Sequence, residues 1–179
     1  MKKATISAIV LLACNLNANA QAFKLGIKAG PNFSNFSGGV SSIDYSTRTS
    51  FHAGAAAELR LTTKLTIATE VLYSSQGADV EGYGDFNLDY VSVPVMARIY
   101  LFTDKLSLDV GPQFSFLIDE AEESFENESF EFAAAGGLTF NLTKSLFAQA
   151  RYTIGLTEAS KNAEVKNSVF QLSVGYYLF

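Results

Sequence analysis

In the stretch FHAGAAAELRLTTKLTIATEVLY, residues 51–73, side chains alternate in character on both sides of a short polar break. Phe51, Ala53, Ala55, Ala57, Leu59 and Leu61 alternate with His52, Gly54, Ala56, Glu58 and Arg60. After Thr62-Thr63-Lys64, Leu65, Ile67, Thr69, Val71 and Tyr73 alternate with Thr66, Ala68, Glu70, Leu72 and Ser74. A period of two puts one set on each face of a strand, and a polar break this short is a tight antiparallel turn. The charges all fall in one of the two sets.

The pattern repeats outward along the chain. Phe23, Leu25, Ile27 and Ala29 alternate with Lys24, Gly26, Lys28 and Gly30. Val91, Val93, Val95, Ala97, Ile99 and Leu101 face away from Ser92, Pro94, Met96, Arg98 and Tyr100. Segments 106–116, 131–140, 146–156 and 170–178 behave alike and place Asp109, Glu131 and Arg151 on the polar side. That makes eight strands. Turns at Thr62-Thr63-Lys64, Thr103-Asp104 and Thr143-Lys144-Ser145 are tight, whereas Ser34 to Ser50, Gln76 to Asn87, Ile118 to Ser129 and Thr157 to Asn167 read as long polar connections. Short and long alternate, as in an eight-stranded antiparallel up-and-down transmembrane β-barrel with short turns on the periplasmic side and long loops outside.

Composition agrees. Hydrophobic residues make up 48% and mean hydropathy is only +0.15, with the longest apolar run at Ala8 to Cys14. Helical spans need about 20 apolar residues, whereas a barrel is apolar on one face only. Fifteen Phe and eight Tyr favour strands. A net charge of −5 argues against nucleic acid, because neutralising phosphate needs a basic surface. A soluble lipocalin-like barrel is the competing all-β architecture. It would turn the apolar face inward around a ligand and leave a polar exterior. An eight-stranded barrel encloses little more than its own side chains, which suits small residues and a few charges better than an apolar calyx.

Residues 1–20 read as a signal peptide: Lys2 and Lys3, an apolar centre from Ala4 to Cys14, then Ala18-Asn19-Ala20 as the cleavage site. Cleavage there starts the mature barrel domain, residues 21–179, at Gln21 with 11 basic and 18 acidic residues. Leu11-Leu12-Ala13-Cys14 loosely resembles a lipoprotein signal, but the Ala-x-Ala site downstream fits better. Cys14 is the single cysteine, so the mature domain has no disulfide and no thiolate metal site.

Phe179 ends the chain directly after a strand, the aromatic terminus that outer-membrane assembly machinery reads. Its phase is odd, since Tyr177 and Phe179 fall on the polar face while Tyr176 and Leu178 fall on the apolar one. Either a bulge or a register one residue away accounts for this.

The opening FKLGIKAGPNFS (residues 23–34), the strand LDYVSVPVMAR (88–98), the segment EVLYSSQG (70–77) and the terminal GYYLF (175–179) resemble the PorT-like outer-membrane barrel proteins of Bacteroidetes. The resemblance spans the mature chain and implies the barrel and its outer-membrane address. That family's founding member is implicated in type IX protein secretion, a role these segments do not carry over.

Three residue sets invite chemistry. Glu58, Arg60, Glu70, Arg98, Asp109 and Arg151 point into the lumen as a charge network, since buried ionic groups must pair. They read as an interior plug, with a narrow channel for ions or small solutes as the alternative. Asp119, Glu120, Glu122, Glu123, Glu126 and Glu128 crowd the third long loop. The first four are calcium candidates, although no turn glycine or Asp-x-Asp spacing supports them and a solvated loop is the plainer reading. His52, the only histidine, has Ser50, Asp44 and Asp85 as conceivable partners with no spacing that marks a set, so it reads as a lining residue. No enzyme and no cofactor is expected. The partners implied are outer-membrane lipid, the barrel-assembly machinery, and an unidentified partner of the surface loops.

Overall fold

Strand-forming alternation becomes nine hydrogen-bonded segments in the computed structural model, which describes residues 22–38, 45–80, 84–102, 104–120, 130–157 and 165–178. They are β1 (Phe23–Gly38), β2 (Tyr45–Ser46), β3 (Arg48–Arg60), β4 (Leu65–Val80), β5 (Gly84–Phe102), β6 (Leu106–Glu120), β7 (Phe130–Asn141), β8 (Leu146–Gly155) and β9 (Val165–Tyr177). β2 and β3 are two parts of one stave, because both pair with β4 and the register moves by one residue between them. Each stave pairs antiparallel with its sequence neighbours, and β1 pairs with β9 from Gly26↔Tyr177 to Gly38↔Val165. The sheet is a closed eight-stranded up-and-down barrel.

The pleat sorts the residues as the alternation requires. Ile27, Phe51, Leu59, Val71, Val110, Leu138, Ile154 and Val174 point outward and are 43–57% exposed. Lys28, Glu58, Glu70, Arg98, Asp109, Glu131 and Arg151 point inward, none above 4%. Such an apolar belt is stable only against lipid. The soluble lipocalin-like alternative is thereby corrected: its faces are the reverse of these.

Strands run further than the apolar pattern shows. β1 continues to Gly38, and β4 and β5 pair out to Val80↔Gly84. The connection read as a long loop from Gln76 to Asn87 is therefore mostly a hairpin. At the other end, two turns repeat one design. Thr62 Oγ1 accepts the N–H groups of Lys64 and Leu65 at 3.2 and 3.0 Å, and Thr143 Oγ1 accepts those of Ser145 and Leu146 at 3.2 and 2.9 Å. A threonine hydroxyl can satisfy turn amides in this way.

A closed barrel has no edge on which to hide a proline, so a missing N–H must interrupt a ladder. Regular pairing lapses beside Pro31 between β1 and β9, beside Pro94 between β4 and β5, and beside Pro112 between β5 and β6. At Pro94 the Thr69 hydroxyl donates to the proline carbonyl at 3.2 Å, replacing part of the lost pairing.

The last strand keeps one register from Val165 to Tyr177, so neither a bulge nor a shifted phase is needed. Tyr177 is an interior residue, 4% exposed, while Tyr176 faces out at 50%. Phe179 lies outside the described residues. Phe147 stacks on Tyr177 with ring centroids 4.7 Å apart and covers Gly175, where a Cβ would run into the Phe147 ring. Aromatic cover of a glycine on a neighbouring strand is a recurrent device in β-barrels.

Candidate functional site

Every stave sends at least one polar side chain into the centre of the barrel, because its inward positions repeat every second residue. Arg98 on β5 is the hub of the turn-side half. Its guanidinium donates to both oxygens of Asp109 on β6, Nε at 2.9 Å and Nη2 at 2.8 Å. Nη1 donates to Glu58 on β3 and, at 3.1 Å, to the Tyr177 hydroxyl on β9, which itself donates to Glu58. Thr139 on β7 donates to Asp109 at 2.7 Å.

A second hub lies on Glu70 of β4. Arg151 on β8 approaches it with two parallel hydrogen bonds of 2.7 and 2.8 Å, and Lys28 Nζ on β1 comes within 2.9 Å. Gln149 links the hubs: its amide donates to Asp109 at 3.0 Å, and its carbonyl accepts from Lys28 at 2.6 Å. The assembly balances Lys28, Arg98 and Arg151 against Glu58, Glu70 and Asp109. Desolvating six ions costs several kcal/mol each, so it survives only because every charge finds an opposite partner and further hydrogen bonds.

The loop-side half is uncharged over most of its height. His52 Nδ1 lies 2.7 Å from Asn32 Oδ1, and Nε2 lies 2.8 Å from Ser173 Oγ. Asn32 also donates to Ser74 Oγ and the Ser75 carbonyl at 3.0 and 2.7 Å, while Gln171 donates to Asn32 Oδ1. With Asn32 so oriented, His52 is the Nδ1–H tautomer and accepts from Ser173. Ser173, His52 and Asn32 thus have the order of a nucleophile, base and orienting group. Their burial argues for a packing role: His52 and Asn32 have no exposed surface and Ser173 has 4%. Of the conceivable acidic partners of His52, Asp44 lies outside the described residues, and Asp85 holds a ladder position opposite Asp79 at the far end of β4 and β5.

Of the six residues read as a lumen network, Glu58, Glu70, Arg98, Asp109 and Arg151 meet in the centre. Arg60 does not. It stands at the turn-side mouth, with its side chain 33% exposed and paired to Asp104 at 2.8 Å. It occupies an inward register position, but the strand ends there and opens onto solvent. Among the acidic candidates, Asp119 and Glu120 close β6 opposite Asp89 and Leu88, and Glu122 and Glu123 lie outside the described residues. Among the described residues no group of three His, Cys, Asp or Glu side chains could hold a metal. Alternation alone did not single out Lys28, Thr139, Gln149 and Tyr177 as members of the central assembly. Their phase was the available signal, because each shares the inward register of a charged residue on its own or the neighbouring strand.

Comparison with known proteins agrees with this architecture. Residues 17–161 match the family described as outer membrane protein beta-barrel domain. Ail, the attachment invasion locus protein of Yersinia pestis, is similar at 16% identity, with 88% of this chain and 99% of that chain covered and a TM-score of 0.56. Neisserial surface protein A gives 16% identity over 85% and 96% with a TM-score of 0.58, and OprG of Pseudomonas aeruginosa 12% over 88% and 96% with 0.54. Identities this low express a shared fold. No curated protein matches the chain in sequence. With the family matched over most of its length and the apolar belt facing outward, the chain belongs to the outer membrane protein beta-barrel domain family and resides in the outer membrane.

Proposed function

We propose that this protein is a plugged, non-enzymatic barrel of the PorT-like branch that works as a structural or interaction scaffold through its extracellular loops. The observation that carries the reading is the ion-paired assembly of Lys28, Glu58, Glu70, Arg98, Asp109 and Arg151 across the interior. An ion crossing this layer would have to displace partners held by several hydrogen bonds each.

Planar-bilayer recording tests it. The native protein is expected to give no steady single-channel openings, and Arg98→Ala/Arg151→Ala is expected to give brief ones. Steady conductance in the native protein would support the narrow-channel alternative instead. That alternative draws on one observation: Gln113 Oε1, Thr153 Oγ1, Asn167 Oδ1 and Gln171 Oε1 are buried without a hydrogen-bond partner among the described residues. Polar groups in that state call for water, so a wet outer half above a sealed inner half is the form the scaffold takes.

The loops decide what the scaffold engages. Ail has been described in complex with the heparin analogue sucrose octasulfate. Here the four long connections, residues 34–50, 76–87, 118–129 and 157–167, carry twelve acidic residues and three basic ones. That charge balance repels a polysulfated ligand and favours a neutral or cationic partner.

A further inference from the structure

The turn-side mouth has the opposite charge to the loops. An open vestibule of about 730 Å³ sits there, lined in part by Lys24, Arg60, Lys105, Lys144, Asp104 and Tyr177. Four cations from four different staves and turns face a single carboxylate among the described residues. Arg60 engages that carboxylate, whereas Lys24, Lys105 and Lys144 form no ion pair among the described residues. Lys24 is held inward, its Nζ 4.8 Å from the centre of the Tyr177 ring. Thr143 and Ser145 add hydroxyls to the same wall. Thr143 Oγ1 already accepts two backbone N–H groups, so its own proton is free to be donated.

Composition does not produce this feature, because the protein as a whole is acidic. Of the described basic residues outside the sealed centre, most lie at this one end, with Asp104 as the only acidic side chain beside them among the described residues. Converging cations with a low-dielectric floor concentrate an anion far more than scattered surface lysines do. The width of the space and its mix of ammonium, guanidinium and hydroxyl donors suit a group with several charged oxygens better than a lone carboxylate.

We propose that the turn-side vestibule, built on Lys24, Lys105, Lys144 and the Arg60–Asp104 pair, binds a phosphate-bearing anion on the periplasmic side. It takes either a soluble phosphate compound or the headgroup of an anionic phospholipid, which offer the same phosphate oxygens.

Calorimetric titration of the full-length protein, folded in zwitterionic detergent, with inorganic pyrophosphate is the test. Saturable binding is expected, weakened about tenfold by Lys24→Gln and less than about twofold by Lys64→Gln, which removes the same charge at the same end outside the vestibule. Lys144→Gln, on an exposed turn, replaces Lys24→Gln if that variant fails to fold. Undetectable binding, or equal weakening by Lys64→Gln, overturns the proposal. Repeating the titration in nanodiscs separates the sources. Loss of pyrophosphate binding in phosphatidylglycerol but not in phosphatidylcholine identifies the headgroup, and equal binding in both identifies a soluble ligand.

Discussion

Arg98 reaches carboxylates on two other strands, and no single neutral residue can replace it. Arg98→Met would strand Glu58 and Asp109 as buried, uncompensated charges, and is expected to destabilise the barrel by about 3–5 kcal/mol. Arg98→Lys keeps the charge but not the fork that matches Asp109, so its loss should be smaller yet clear. Urea unfolding midpoints in lipid vesicles measure both. Ser173 is the other residue with a distinct forecast. Its contact with His52 is chemically suggestive, but both groups are buried, so a fluorophosphonate probe should leave the folded protein unlabelled. Labelling lost in Ser173→Ala would mean that the interior admits substrate. At this scale alternation is informative about face and silent about height. Arg60 shares the inward phase of Glu58, yet two residues along the strand separate a sealed centre from an open mouth. Tyr177 was the reverse case. Its awkward phase was real, because the terminal strand uses that ring as interior filling under Lys24.

At the scale of elements, the two threonine turns offer a clean comparison. Thr62→Ala and Thr143→Ala each remove one hydroxyl that accepts two turn amides. Each is expected to cost about 1 kcal/mol, and the double variant should lose close to the sum because the turns are well separated. Vesicle unfolding of the two single variants and the pair checks this. The strands themselves were legible where lipid enforces an apolar face, since the period of two is strongest in that belt. Beyond it the ladder continues without the pattern. The outer ends of β1, β4 and β5 carry Asn35, Ser37, Asp79, Asp85 and Asn87, residues that read as loop because nothing outside the membrane demands an apolar stripe. Hydrogen bonding holds a strand together there without hydrophobic alternation, which is why the hairpin at Val80 and Gly84 reads as an open connection in the sequence.

For the whole molecule, the acidic loop end and the basic turn end face opposite sides of the membrane. Intact mass of the protein from purified outer membranes is expected to correspond to a chain starting at Gln21; a lipid-modified chain starting at Cys14 would contradict that boundary. The seam between β1 and β9 has a different implication, one of assembly order. Its two strands stand at opposite ends of the folded chain, so the barrel closes only when the last strand arrives, and Tyr177 then completes the cluster around Arg98. A chain stopped short of β9 would keep two unpaired strand edges, the surfaces most prone to aggregate. It would also leave Arg98 without one of its partners. Closure of the wall and sealing of the interior are thus one event, and a molecule whose last strand is not yet in place is chemically distinguishable from a closed one.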